Sequence, residues 1–387
     1  MSPKLRKILI VLITFLIIVL IGLLVYSILF KNPFEKERAE GQLPEVEEGE
    51  FQPEEGLEET GPSPELKVRA ISKERVLAPT LSSDKLKVIY YSPIDGLLWE
   101  SSFDGTGLTQ VTQEPIKNLF DVIWSPNKKE IISVHYNPDE TVLKYYRGLE
   151  TGAQSFLNSK RREISFSPDG KKIVYQFFDE STGENYISIA DPTGANWQNL
   201  AQIKIKEVNL DWGEAGISFY EKSSGLTPSS LFLLNPLTKS ITKVLSEIYG
   251  FSAKWSPQGD KILFSKTNDK GKNIYLYVAS KEGVEQTPIG PGLVEKCVWS
   301  NDNRTLYCAV PKNIDSAEVL PDDFYKGKFI SNDEFWKINT ETGEKINLLE
   351  NERIDYEFDA VSPFLSPLED YLFFVNKNDG LLYSIEL

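Results

Sequence analysis

Apolar and polar positions alternate on both sides of a Ser-Pro-Asp-Gly turn within residues 162–178. Phe166 ends the first alternating run, Pro168 presets φ for a turn, and Gly170 tolerates a positive φ. Alternation resumes at Ile173 and Tyr175. The pattern predicts two half-buried strands joined as a β-hairpin.

This hairpin pattern recurs along the chain, with an anchor residue followed about seven positions later by an aliphatic residue; one tighter copy has a spacing of about five. Neighbouring anchors lie about 42 to 46 residues apart, except for a last interval of about 66. A period of about 40 to 50 residues is typical of four-stranded propeller blades. The sequence therefore predicts an all-β fold, a seven-bladed β-propeller over residues 65–387. The anchors are Leu81, Trp124, Phe166, Trp212, Trp255, Trp299 and Leu365.

The segments WSPNKKEI, FSPDGKKI, WSPQGDKI and LSPLEDYL resemble the repeats of TolB-type propellers, which are related to WD-repeat and prolyl-oligopeptidase-type propellers. Only FSPDGKKI has the whole signature, and WSNDNRTL at 299–306 lacks the proline. The resemblance implies a fold rather than an activity. TolB itself would imply a periplasmic protein with a small α/β domain before six blades. This chain departs from TolB in two ways, because a predicted membrane segment replaces that domain and seven anchors occur. We therefore do not assign TolB's partners to this chain.

The last blade has too few strands of its own. The anchor Leu365 is followed by two further strand patterns before the chain reaches Leu387. Residues 65–72, ELKVRAIS, precede the first blade and have no other place in the repeat. We therefore expect this N-terminal strand to complete blade seven and close the ring, which removes an exposed edge.

Residues 8–30 form a run of 23 residues without a charge, and about 20 apolar residues span a bilayer. We interpret the run as one uncleaved transmembrane helix, with a cleaved signal peptide as the alternative. Lys4, Arg6 and Lys7 precede it, which favours a short cytoplasmic N-terminus at residues 1–7. The expected location is the cell membrane, with a single pass and an extracytoplasmic propeller.

A Glu-, Pro- and Gly-rich linker at residues 31–64 follows the apolar run. Residues 39–66 contain ten glutamates and no basic residue, which predicts a disordered, self-repelling spacer. The whole chain has a net charge of −15, of which about −9 belongs to the propeller. An acidic domain lacks the basic footprint of a nucleic-acid-binding protein, so we expect no nucleic-acid partner.

No catalytic or cofactor motif is evident. The single histidine, His135, lies in a predicted strand, where a packed role is commoner than catalysis, and it has no companion ligand for a metal. A G-x-S-x-G elbow, a P-loop and a dinucleotide fingerprint are all missing from the sequence. We expect no catalytic residue, cofactor or metal, although carboxylate pairs inside a central channel cannot be recognised from sequence.

Cys297 and Cys308 are the only cysteines and lie on adjacent strands of one predicted hairpin. If the turn centres between Asp302 and Asn303, the two are directly opposed and could form a disulfide. A one-residue bulge would separate them and leave two buried thiols. Both alternatives stay open at this point.

The long interval before the last anchor indicates an insertion at residues 311–333, between the second and third strands of blade six. Long loops on a rigid scaffold commonly bind partners. Asp322, Asp323, Phe324 and Tyr325 are its candidate partner-binding residues, because aromatic side chains dominate interfaces. The alternative is that the two aromatic rings only hold the loop onto its blade.

These features favour a membrane-anchored binding or scaffold module for a protein, a peptide or a cell-envelope polymer, without catalysis. The alternative is a propeller enzyme, a hydrolase or lyase, that acts at the mouth of the central channel.

Overall fold

The computed structural model describes residues 67–137, 141–349 and 356–387. The predicted membrane helix at 8–30 and the predicted linker at 31–64 lie outside these residues. Within the described residues, no helix is both long enough and apolar enough to cross a lipid bilayer.

The described chain folds into seven four-stranded antiparallel sheets, which confirms the predicted seven-bladed propeller. In blades one to six the strands follow chain order across each sheet. First strands of neighbouring blades contact each other, so they surround the central channel. The blades are β2 (Leu77–Leu81), β3 (Val88–Tyr91), β4 (Leu98–Ser101), β5 (Thr109–Gln110); β6 (Leu119–Trp124), β7 (Glu130–Tyr136), β8 (Val142–Gly148), β9 (Gln154–Leu157); β10 (Arg161–Phe166), β11 (Ile173–Asp179), β12 (Glu184–Ala190), β13 (Gln198–Gln202); β14 (Val208–Gly213), β15 (Gly216–Glu221), β16 (Ser229–Leu234), β17 (Ile241–Ile248); β18 (Ala253–Trp255), β19 (Lys261–Lys266), β20 (Tyr275–Ser280), β21 (Thr287–Pro291); β22 (Cys297–Trp299), β23 (Thr305–Pro311), β24 (Asp333–Asn339), β25 (Lys345–Asn347); and β26 (Ala360–Leu365), β27 (Tyr371–Asn376), β28 (Leu382–Glu386) with β1 (Val68–Ala70).

The hairpin of blade three shows how each turn is specified. The Gly170 N–H donates to the Ser167 carbonyl at 2.8 Å, and Gly170 has a φ of 72°, which glycine adopts without strain. The Ser167 hydroxyl donates to Asp169 at 2.7 Å. Phe166 then lies directly opposite Ile173, so the anchor and the aliphatic residue of the repeat are cross-strand neighbours.

The hydrophobic cores formed by the blades themselves lie between neighbouring blades rather than inside one. Leu263 and Leu276 of blade five pack with Trp299 and Leu306 of blade six in one cluster. A blade therefore buries its apolar faces only by stacking against its neighbours, as in other repeat architectures.

Blade seven combines the two ends of the propeller. β28 lies between β27 and β1, and the sheet order is β1-β28-β27-β26. β1 runs antiparallel to β28, with Val68 opposite Ile385 and Ala70 opposite Tyr383. The N-terminal strand thus covers the edge that β28 would otherwise expose.

Candidate functional site

The insertion lies on the face of the propeller that bears the loops from second to third strands. We call it the insertion face; it carries residues 312–332 and the corresponding loops of the other blades. First strands begin and second strands end at this face. The opposite face carries the turns between first and second strands, such as residues 167–170.

The insertion lies between Pro311, the last residue of β23, and Asp333, the first residue of β24, and it is not an irregular loop. It contains a 3-10 helix, Ile314–Ser316, and a one-turn α-helix, Asp322–Tyr325. Asp323 stabilises the turn because its carboxylate accepts the N–H groups of Glu318 and Val319, both at 2.9 Å. One of the four candidate binding residues is thus used inside the insertion.

The insertion also reaches across to blades four and five. The carboxylate of Asp322 accepts the Gly225 N–H at 2.7 Å and the Ser224 hydroxyl at 3.1 Å. The Leu320 N–H donates to the Gly271 carbonyl at 2.8 Å. These contacts fix the helix over the ends of two blades other than its own.

Phe324 is buried, with 9% of its surface exposed, and packs with Leu293, Leu320 and other apolar residues. The ammonium groups of Lys377 and Lys296 lie 4.6 Å and 5.6 Å from its ring centroid. Cations over an aromatic face are attracted by its negative charge density. This ring is therefore used to hold the insertion onto the propeller.

Tyr325 has a different environment, because 47% of its surface is exposed. Its hydroxyl donates to the carboxylate of Glu295, which also accepts the Ser252 hydroxyl at 2.6 Å. Loss of water around the hydroxyl, and then the charge of Glu295, raise the pKa of Tyr325. The phenol therefore stays neutral while part of its ring faces solvent.

A buried ion cluster lies at the root of the insertion. The Lys296 ammonium lies 2.8 Å from Asp333 and 2.7 Å from Asp359, and all three side chains are at most 1% exposed. It also donates to the Ala360 carbonyl at 2.7 Å. Burial raises the pKa of Asp333, whereas at Asp359 burial is outweighed by the charge of Lys296, which lowers the pKa.

Two carboxylates lie on first strands of blades in the part of the propeller away from the insertion. Asp121 on β6 and Glu163 on β10 each lie three positions before an anchor residue. Both side chains are open to solvent, yet the surrounding protein displaces enough water to raise the pKa of each. The negative charge of Asp121 adds to the rise at Glu163. The sequence signal that could have identified them is an acidic residue three positions before the anchor of a first strand.

Blade two presents an exposed aromatic pair on the insertion face. Phe120 lies at the start of β6 and Tyr136 at the end of β7, with 62% and 47% of their surfaces exposed. Their ring centroids are 5.8 Å apart. The insertion contacts blades four, five and seven, so this pair lies on the part of the face that those contacts leave uncovered.

His135 is a packed residue. Its Nδ1 lies 2.9 Å from the Lys117 carbonyl and its Nε2 lies 3.0 Å from the Ser133 hydroxyl. Its ring meets Tyr145 edge to face at 5.3 Å. In the part of the chain that the structure describes, no three His, Cys, Asp or Glu side chains are grouped closely enough to hold a metal ion.

Cys297 and Cys308 are directly opposite each other in the β22–β23 ladder, with no bulge between them. Their sulfur atoms are 2.12 Å apart, so the structure contains the disulfide rather than two thiols. The disulfide joins the innermost strand of blade six to the second strand.

No protein-family model matches this chain, and no curated protein matches it. Among solved structures it is similar to an oligogalacturonate lyase in complex with manganese, with 13% identity, a TM-score of 0.59, and coverage of 83% of this chain and 93% of that chain. It is similar to an oligogalacturonate lyase from Vibrio parahaemolyticus, with 12% identity, a TM-score of 0.56, and coverage of 84% and 94%. TolB from Acinetobacter baumannii has 14% identity, a TM-score of 0.45, and coverage of 70% and 62%.

Structural neighbours also include TolB-like propellers. At these identities the similarity describes the fold alone, since one propeller architecture carries many activities. Any function must therefore be argued from this chain's own side chains.

Proposed function

We propose that this chain is a membrane-anchored, extracytoplasmic binding module for a protein, a peptide or a cell-envelope polymer. The apolar run at 8–30 and the basic residues before it support a single pass with the N-terminus in the cytoplasm. The Glu-rich linker would hold the propeller away from the membrane surface.

The exposed pair Phe120 and Tyr136 is the observation that carries the binding role. Two large rings in contact on a rigid sheet lose little conformational entropy when a partner covers them. Aromatic side chains are also enriched at the centres of interfaces. Tyr325 adds a half-exposed ring to the same face.

The role of the pair is tested by crosslinking in intact cells with the full-length chain carrying Phe120→Ser and Tyr136→Ser. We expect loss of the crosslinked species that the wild-type chain forms. The matched control is Leu237→Ser, which alters a residue 90% exposed on the opposite face. Equal crosslinking by the aromatic variant and the control would rule out this surface.

The topology is tested separately with protease added to intact spheroplasts. Cleavage within residues 39–66 is expected, because that segment would lie outside the cytoplasm. Protection of these residues until the cells are lysed would reverse the orientation.

A second candidate function is an enzyme at the channel mouth, and the raised pKa of Asp121 and Glu163 favours it. A raised pKa favours the protonated form of a carboxyl group, which is the form that a general acid uses. Turnover of peptide or oligosaccharide mixtures that is lost in Asp121→Asn and in Glu163→Gln would support this candidate. Turnover that both variants retain would exclude these carboxylates.

A further inference from the structure

Blade three has a cleft on the side that faces blade two. Tyr175 and Phe177 of β11 point to this side, and Tyr186 of β12 lies directly opposite Phe177. Trp197, just before β13, forms the rim. The cavity has a volume of about 300 Å³, which is the lower end of the range for small-molecule sites.

The solvent exposure of the aromatic rings increases from the floor of the cleft to its rim. Tyr175 is 2% exposed and forms the floor, Tyr186 is half-buried, and Trp197 is 62% exposed. Among the described residues outside blade two, only Tyr356 has an aromatic ring that is more exposed than that of Trp197. A tryptophan left in water beside a preformed cavity is a feature of ligand sites more than of cores.

Two asparagine side chains of the cleft are held in place by hydrogen bonds to their oxygens, which leaves their N–H donors free. Asn199 accepts the Ser188 hydroxyl at 2.8 Å, and Asn158 accepts the Lys160 N–H at 2.8 Å, so both amides are fixed through their oxygens. Among the described residues, the two amide NH2 groups, the Trp197 indole N–H and the Tyr186 hydroxyl donate to no protein group. The cleft therefore offers several unused donors next to aromatic rings.

The two charged groups of the cleft balance each other, which favours a neutral ligand. The Arg161 guanidinium lies over the Tyr175 ring at 4.9 Å and donates one of its N–H groups to the Gly194 carbonyl at 2.9 Å. Glu184, at the start of β12, contributes a carboxylate to the lining. This carboxylate would repel an acidic ligand and would accept a hydrogen bond from a hydroxyl group.

We propose that this cleft binds a neutral saccharide, with a pyranose ring against Tyr186 and Trp197. The apolar C–H face of a sugar covers an aromatic ring, its oxygens accept hydrogen bonds from the free donors, and its hydroxyls donate to Glu184. A proline-rich peptide could also cover the rings. However, its proline nitrogens carry no hydrogen, so it would supply few donors to Glu184.

This inference rests on the proposed function. Of the three proposed partner classes it selects the cell-envelope polymer, and it identifies that polymer as a neutral saccharide. The cleft lies in blade three, and neither Phe120 nor Tyr136 of blade two lines it. The two surfaces can therefore be altered independently.

The experiment uses the full-length chain in lipid nanodiscs, because maltoside detergents themselves carry sugars. Chitotetraose and cellotetraose are the neutral probes, tetragalacturonate is the acidic probe, and decaproline is the peptide probe. Binding is measured by saturation-transfer NMR and calorimetry. We expect a neutral probe to bind, and Trp197→Ala to weaken it by about tenfold or more, as for truncated aromatic anchors in interfaces. Tyr186→Phe and Glu184→Gln should each weaken it severalfold.

The matched control is Tyr356→Ala, which removes an exposed ring from another blade and should leave the affinity unchanged. All variants should melt at the wild-type temperature, since Trp197 and Tyr356 are exposed and the changes at Tyr186 and Glu184 nearly keep side-chain volume. Failure of both neutral probes to bind, equal binding by Trp197→Ala, or tighter binding of tetragalacturonate or decaproline would overturn the proposal. The two proposals can fail separately. If a neutral sugar binds but the protease experiment gives the opposite topology, the proposed extracytoplasmic function is wrong and the saccharide site is still supported.

Discussion

The ammonium nitrogen of Lys296 lies 2.7 Å from a carboxylate oxygen of Asp359, and both side chains are almost completely buried. Asp333 contributes a second carboxylate at 2.8 Å. Lys296 precedes the first strand of blade six, and Asp359 precedes the first strand of blade seven. One ammonium group therefore holds together two blades and the end of the insertion.

Lys296→Met should lower the free energy of unfolding by about 3–5 kcal/mol, because it leaves the buried Asp333 without a cation and leaves Asp359 with only Lys377 at 3.5 Å. Urea denaturation followed by circular dichroism measures the change. The control is Lys261→Met, which breaks a partly exposed pair with Glu341 at 3.1 Å. That loss should stay below about 1 kcal/mol. Similar costs for the two variants would show that the buried cluster has no special role.

Asp179 should make the propeller sensitive to acid. A hydrogen bond from Lys160 at 2.5 Å, followed by one from the Ser181 hydroxyl at 2.7 Å, lowers the pKa of Asp179 from 3.8 to about 2. A lowered folded-state pKa gives stability that is present above pH 3.8 and is lost as the pH falls toward 2. The stability difference between the wild type and Asp179→Asn should therefore shrink over that interval.

The titration of Asp179 itself can be followed by carboxyl carbon NMR. The midpoint of its titration should lie near pH 2 in the wild type and move upward in Lys160→Met, which removes the hydrogen bond that lowers the pKa of Asp179 most. A midpoint near 3.8 in both proteins would contradict this account.

The chain that lacks residues 380–387 should unfold at a much lower temperature and urea concentration than the chain that lacks residues 1–60. The first deletion removes β28, which lies between β27 and β1, and leaves β1 without a neighbour. Ile385→Ala should show the same weakness on a smaller scale, with a cost of about 2–5 kcal/mol, because Ile385 is fully buried opposite Val68. Thermal and urea unfolding are the measurements. Equal stability of the two deletions would contradict ring closure by the N-terminal strand.

The Cys297–Cys308 disulfide should stabilise the propeller by about 2–3 kcal/mol, since it closes a short loop in the unfolded chain. Urea unfolding of the wild type with and without dithiothreitol measures this effect, and the Cys297→Ala/Cys308→Ala variant controls for other effects of the reductant. Thiol alkylation of the denatured, unreduced protein should label no cysteine. Two labelled cysteines in protein taken from its native location would contradict the disulfide and the extracytoplasmic assignment together.

The sequence by itself determined the blades. A turn such as Ser167–Gly170, an anchor such as Phe166 and its partner Ile173 all lie within about ten residues, so the signal is local and repeats at each blade. Turn chemistry and a period of two are sufficient to specify a hairpin. The sequence also indicated an insertion in blade six, because the interval from Trp299 to Leu365 is longer than the regular period.

Only the tertiary structure decided what the side chains of the insertion do. Asp322 binds Ser224, which is 98 residues away in the chain, and Phe324 turns inward toward Lys377. No local pattern encodes such pairings, because they depend on which blades become neighbours when the ring closes. The disulfide also depended on the ladder register, since a single bulge would have separated Cys297 from Cys308. The cleft beside Trp197 arises for the same physical reason, because a space between two blades exists only after both have folded.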